Sequence, residues 1–221
     1  MDEFVDLYSD FDPSNVSTSL RLLFLLTILA LAPSILILMT SFARIVIVLS
    51  FVRTSLATQQ MPPNQVLIGL ALFLTFFIMA PTFQEINEEA LQPLFSEEIS
   101  LDEAYDRASM PMKEFMAKHT RQKDLALFMN YSQMERPESL EDIPLTMLVP
   151  AFAISELKTA FQMGFMIFIP FLIIDMAVAS ILMSMGMMML PPVMISLPFK
   201  ILLFVLVDGW YLISHSLLES F

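Results

Sequence analysis

The chain of 221 residues contains no cysteine, so a disulfide framework, a thiolate metal site and a cysteine nucleophile are all excluded. Glycine is also scarce: Gly69, Gly164, Gly186 and Gly209 are the four in the chain, too scattered to form a phosphate-cradling loop. The two histidines, His119 and His215, lack metal-ligand spacing, and no Gly-x-Ser-x-Gly elbow occurs. With candidates for nucleophile, base and metal all missing, the reading is a non-enzyme with no catalytic residues, no metal and no cofactor. Basic residues are few, 11 against 23 acidic ones, and they form no clustered face of the kind phosphate backbones require, so a nucleic-acid partner is excluded as well.

What the chain does have is apolar length. Hydrophobic residues make up 57% of it, charged residues only 15%, and the mean hydropathy is +0.71. The apolar residues gather in long blocks, which is the signature of contact with lipid. The acids collect outside those blocks. Asp2, Glu3, Asp6, Asp10 and Asp12 precede the first basic residue, and most of the others lie between Glu85 and Asp142.

Four blocks are expected to be membrane helices. The first, Leu22 to Val52, is longer than the roughly 20 residues that cross a hydrocarbon core, and reads as one bent helix or two helices meeting near Pro33. Ala30-Leu31-Ala32 imitates a signal cleavage site, but the leading residues are acidic and the apolar run continues, so the segment is expected to stay as a membrane helix. The second block, Val66 to Met79, follows the tandem prolines Pro62-Pro63 and ends at Pro81. The third, Thr159 to Leu190, ends at Pro191-Pro192, and the fourth runs from Val193 to Leu218.

Between the second and third blocks lies an acidic segment from Gln84 to about Pro150 that still carries helical signals. Ser100 and Glu103 form a capping-box pattern, followed by Leu101, Ala104, Tyr105 and Ala108 at helical spacing. A second amphipathic run uses Phe115, Met116, His119, Leu125, Phe128 and Tyr131. The fold expected is an all-α membrane protein: two long kinked helical hairpins with a polar insertion of short helices between them. As one membrane domain over 1–221 it divides into an acidic tail (1–19), a first hairpin (20–83), the insertion (84–150) and a second hairpin (151–221). Arg44 and Arg53 flank the first short turn, which places both tails on the outside.

Three constellations carry functional interest. Asp175 and Lys200 each sit inside an apolar block, where an unpaired charge costs on the order of 3 kcal/mol. In a straight hairpin turning at Pro191-Pro192, Asp175 lies about 24 Å before the turn and Lys200 about 12 Å after it, which points to pairing between neighbouring copies. The alternative is a separate solution for each, Asp175 facing a wet cavity and Lys200 snorkelling to the surface. The second constellation is methionine: Met176, Met183, Met185, Met187, Met188, Met189 and Met194 fall close to the Pro-Pro turn. Thioether side chains re-pack around changing surfaces. A ring of Met187-Met188-Met189 segments is a candidate hydrophobic gasket that blocks ions by dewetting. Third, Glu156, beside Lys158, reads either as an interfacial helix start or as a subunit contact.

Three strings make the sequence resemble the FliP/SctR family of type III secretion export-gate subunits. They are Phe51-Val52-Arg53-Thr54-Ser55-Leu56 through Met61-Pro62-Pro63-Asn64-Gln65, Pro150-Ala151-Phe152 through Phe161-Gln162-Met163-Gly164-Phe165, and Leu190-Pro191-Pro192 through Ile195-Ser196-Leu197-Pro198-Phe199-Lys200. They span most of the chain after Pro33, and the acidic tail is the least similar part. The resemblance implies that copies of the chain join FliQ and FliR in a closed helical ring around a protein-conducting channel. FlhB and FlhA would lie nearby, and unfolded flagellar proteins would be the cargo. It implies a bacterial cytoplasmic (inner) membrane location in the flagellar basal body, with helices that need not all cross the bilayer in the finished assembly. It also places the gasket on Met187, Met188 and Met189, the intersubunit charge pair on Asp175 and Lys200, and a subunit contact on Glu156. A small-solute or ion transporter using Asp175, Lys200 and Asp208 is the rival from another class, and a scaffold that never lines a path is the third reading.

Overall fold

The structure, a computed structural model, describes residues 13–58, 61–132, 137, 139–187 and 189–221, and every regular element among them is a helix. The tail acids Asp2, Glu3, Asp6, Asp10 and Asp12, Arg136 and Glu138 of the polar insertion, and Met188 of the expected gasket lie outside the described residues. The chain divides into two units, Met1–Ile37 and Leu38–Phe221.

Helix α1, Pro13–Met39, accounts for the described part of the first unit. The division into two helices expected near Pro33 does not fall at that residue. The helix runs through that residue to Met39, and the break falls instead at Thr40-Ser41. There the Phe42 N–H donates to Thr40 Oγ1 at 3.3 Å, a local alternative to the helical ladder that hydroxyl side chains offer.

In the second unit, α2 spans Phe42–Ser55 and α3 Asn64–Ile86. Pro81 was expected to end the second block but is carried inside α3. The helical course continues through a π turn, Asn87–Leu91, into the short α4, Gln92–Phe95. A proline removes one ladder bond, and the surrounding turns tolerate the loss. The capping box expected at Ser100 is present: α5, Leu101–His119, starts where the Glu103 N–H donates to Ser100 Oγ at 3.3 Å. Helix α6 is Gln122–Tyr131. Helix α7 runs over 40 residues, Leu145–Ser184, so the third block begins well before Thr159 and ends before Leu190. Helices α8, Pro192–Leu206, and α9, Gly209–Glu219, make up the fourth block, bent by 61° at a break where Asp208 takes a left-handed φ of 50°.

Two stripes at helical spacing build the core. On α2 the residues Ile45, Val48, Leu49 and Val52 are fully buried. On α7 the stripe is Leu148, Ala151, Phe152, Ser155, Glu156 and Ala160. Both follow the i, i+3, i+4, i+7 rule, and α2 packs along α7. Gly164 continues the α7 stripe, and a Cβ there would overlap the Phe51 ring, so this glycine sets how closely the two helices approach. Phe51 also meets Phe161 edge-on at 5.4 Å. A second cluster, Met116, Ile143, Leu148 and Phe152, fastens the polar insertion to the first turns of α7. The insertion therefore shares its core with the long helix.

The remaining faces are apolar and exposed. Phe73, Phe77 and Leu206 are each more than 70% exposed, as suits helices that meet lipid or other protein. The stretches Asn64–Phe95 and Leu145–Ser184 are long and apolar enough to cross a membrane. The pairs Leu29–Met39 with Phe42–Ser55 and Pro192–Leu206 with Gly209–Glu219 pass the same test only jointly. Two of the four expected blocks thus hold a continuous helix long enough to span, and the other two are bent pairs.

Candidate functional site

The buried charges come first because they are the most costly groups to place. Arg44, on the apolar stripe of α2, is 3% exposed, and Glu156, on the stripe of α7, is fully buried. They form a two-pronged pair: Arg44 Nε donates to Glu156 Oε2 at 2.8 Å and Arg44 Nη2 donates to Glu156 Oε1. The third guanidinium nitrogen, Nη1, donates to the Ser220 carbonyl oxygen at 2.8 Å and to Ser220 Oγ at 3.0 Å, and the guanidinium carbon sits 3.7 Å from the centre of the Phe221 ring. One arginine thereby joins α2, α7 and the segment after α9. The sequence left Glu156 between a solvated helix start and a subunit contact. The solvated helix start is not adopted: α7 begins at Leu145, Glu156 lies inside the helix, and its carboxylate is paired with Arg44 within the chain.

Phe221 is held from the other side by the insertion. It stacks on Phe115 with ring centres 6.1 Å apart, and the Lys118 ammonium donates to its backbone oxygen at 2.9 Å. His119 lies in the same nest, its Nδ1 2.8 Å from the Phe115 carbonyl oxygen and its Nε2 3.4 Å from the Phe221 oxygen. Burial, reinforced by the nearby Arg44 charge, holds the His119 pKa below its usual 6.5, against the pull of the Phe115 carbonyl. A depressed folded-state pKa means that the unfolded chain binds the proton more readily. The stabilising contribution is therefore complete above 6.5 and is lost as pH falls through the folded value. Between about pH 7 and about pH 5 the melting temperature of the solubilised chain is expected to drop, and to drop less in a His119→Asn variant.

The second charged pair is Asp175 on α7 and Lys200 on α8. Lys200 Nζ donates to Asp175 Oδ2 at 2.6 Å, while Ser196 Oγ donates to Asp175 Oδ1 at 2.5 Å. This corrects the expectation that the two do not meet in one chain. The hairpin does not turn at Pro191-Pro192; α7 stops at Ser184 and α8 begins at Pro192, so the turn is the whole segment between them. Measured from those ends, Asp175 and Lys200 sit about 14 Å and about 12 Å into their helices, which brings them level. Lys200 does not snorkel to the surface, since it is only 2% exposed. Asp208, the third group of the transporter reading, lies at the α8–α9 break.

The turn between α7 and α8 holds the methionines, and its start is set by glycine. Gly186 has a φ of +75°; its N–H donates to the Met183 carbonyl at 3.0 Å, and the Met187 N–H reaches back to the Leu182 carbonyl at 3.0 Å. This is a Schellman motif, which needs a left-handed residue one place beyond the helix cap. Gly186→Ala is expected to destabilise the turn by about 1–2 kcal/mol, read as a lower melting temperature. Beyond the motif Met187 and Met189 lie outside the helix. Met189 is 98% exposed, and Met183, Met185 and Met194 are also exposed around it.

The pattern of the FliP family matches residues 25–217. Aligned over its full length, the chain is 79% identical to the whole of the flagellar biosynthetic protein FliP of Bacillus subtilis. The chain belongs to the FliP family. The flagellar biosynthetic protein FliP of Caulobacter vibrioides is 55% identical over 91% of this chain and 76% of its own length. The FliP protein of Aquifex aeolicus is 54% identical over 94% of this chain and 87% of its own length. Of the residues that the resemblance to the FliP family singled out, Asp175 and Lys200 are brought together, Met187 and Met189 share one loop, and Glu156 lies apart from both in the α2–α7 core. Sequence reasoning missed the partner of Glu156. The signal was available, because Arg44 was an equally isolated cation in an apolar block of this FliP-family chain.

Proposed function

We propose that the chain is a non-enzymatic subunit of the flagellar type III protein-export gate, built with copies of itself, FliQ and FliR into a channel for unfolded flagellar proteins. FlhB and FlhA lie nearby in this reading, and the assembly belongs to the cytoplasmic membrane at the flagellar basal body. Membership of the FliP family supports this, together with the name flagellar biosynthetic protein that the relatives carry. The single observation that carries the mechanism is the exposed methionine loop between α7 and α8, anchored at one end by the Schellman turn, on a hairpin whose two helices are tied by the Asp175–Lys200 pair. Rigid helices present a soft tip. Around an axis, several such tips close a hydrophobic constriction that excludes water and ions, yet each thioether re-packs as a polypeptide passes. Replacing Met187, Met188 and Met189 together by Ala is expected to raise ion leakage across membranes carrying the assembled complex by about tenfold, with the complex still assembled. Unchanged leakage would remove the constriction from the account.

A further inference from the structure

A cluster of cations lies where α6 begins against α7, and none of the residues discussed above uses it. Arg121 precedes α6, Lys123 stands in its first turn, and Lys158 projects from α7 within the field of both. The start of α6 is pinned to this level of α7 by Ser155. The Arg121 N–H donates to Ser155 Oγ at 3.0 Å, and Ser155 Oγ donates to Asp124 Oδ2 at 2.7 Å. Asp124 is the one carboxylate among these groups, and its Oδ2 also takes Arg121 Nη2 at 2.6 Å. It is therefore committed already, and two exposed ammonium groups are left beside each other. Arg121 Nε and Nη1 are enclosed with no hydrogen-bond partner among the described residues. The first-turn N–H groups of Gln122 and Lys123 point to the same end of α6, where the helix dipole favours an anion. In a chain of formal charge −12, so dense a set of cations with so little acid is exceptional.

The height of the cluster indicates what would occupy it. From Lys158 to the end of α7 at Ser184 the only charged residue is Asp175, which is paired. That stretch amounts to about 39 Å of helix, enough to cover a hydrocarbon core of about 30 Å. Lys158 is thus the last exposed charge before the apolar run, at the level where water gives way to lipid and phosphate groups lie. We propose that Arg121, Lys123 and Lys158 form a binding site for the phosphate of an anionic phospholipid headgroup, with the two lysines as direct contacts and Arg121, held by Asp124, as the fixed charge behind them. The site is independent of the export reading and would operate in the single chain.

The test uses the full chain in nanodiscs of mixed phosphatidylglycerol and phosphatidylcholine, with the lipids retained after detergent extraction counted by native mass spectrometry. Native chain is expected to retain phosphatidylglycerol about 25-fold over phosphatidylcholine, given roughly fivefold for each of the two lysines near a charged surface. Lys123→Gln with Lys158→Gln should bring that preference within about twofold, whereas Lys123→Arg with Lys158→Arg and the distant Lys113→Gln should both keep it. Melting temperatures measured alongside separate loss of the site from loss of the fold. Three results would overturn the proposal: equal retention of the two lipids by native chain, a preference that survives the Gln pair, or inorganic phosphate stabilising the cluster while the two lipids bind alike.

Discussion

Replacing Glu156 by Ala is expected to lower the stability of the chain by about 3–5 kcal/mol, the largest single effect among the substitutions considered, because it leaves Arg44 charged and enclosed between α2 and α7. The loss of contact energy is only part of the cost; most of it is the desolvation of a guanidinium that has lost its acceptor. Arg44→Ala should be nearly as damaging, since it strands the carboxylate and also frees Ser220 and Phe221. Removing both partners together, with Arg44→Met and Glu156→Leu, should recover more than half of the loss, as well-packed apolar replacements of buried pairs commonly do. Thermal melting of the native chain, the two single variants and the double variant in one detergent compares these losses directly. A double variant no more stable than the worse single one would show that the arginine is held by something other than Glu156.

Asp175→Ala carries the second largest expected effect, about 3 kcal/mol, because Lys200 is left charged among apolar residues of α7 and α8. The site differs from the first in one respect. Asp175 keeps 23% of its side chain accessible, so some water reaches the pair and softens the loss. Because both residues belong to one hairpin, the destabilisation should appear in the monomeric, detergent-solubilised chain and should not vary with protein concentration. The exchanged chain, Asp175→Lys with Lys200→Asp, should regain part of the loss without any partner present. A loss that appears only when copies assemble would instead return the pair to a subunit interface.

The helices and the polar insertion were legible because hydrophobic blocks, tandem prolines and a capping box are local signals. Ser100 and Glu103 marked the start of α5 because three residues suffice to make that cap. Prolines misled for the opposite reason. Pro33 and Pro81 look like stops in a window of sequence, yet each sits inside a helix, while the Thr40 hydroxyl marks the real break. The misplacement of the Asp175–Lys200 pair followed from one such reading. Taking Pro191-Pro192 as the apex hid the Gly186 turn, and the resulting error of several residues converted an intrachain contact into an apparent mismatch. The Arg44–Glu156 pair was out of reach of any local pattern, since the two residues are separated by 112 positions and meet only because α2 lies along α7. The match of helical periods on those two helices was visible in the sequence, but which stripe faces which was not.

The account rests most heavily on the methionine loop lying on the path of exported protein. Since the chain has no cysteine, a single Met189→Cys substitution gives a unique thiol at the most exposed point of that loop. Crosslinking it in cells against a flagellar export substrate stalled in transit, with Leu127→Cys on the exposed face of α6 as the comparison, measures proximity to the path directly. A substrate adduct at Met189→Cys and none at Leu127→Cys is the predicted result. Adducts at neither position, with the stalled substrate present and the complex assembled, would contradict the placement of this loop in the channel.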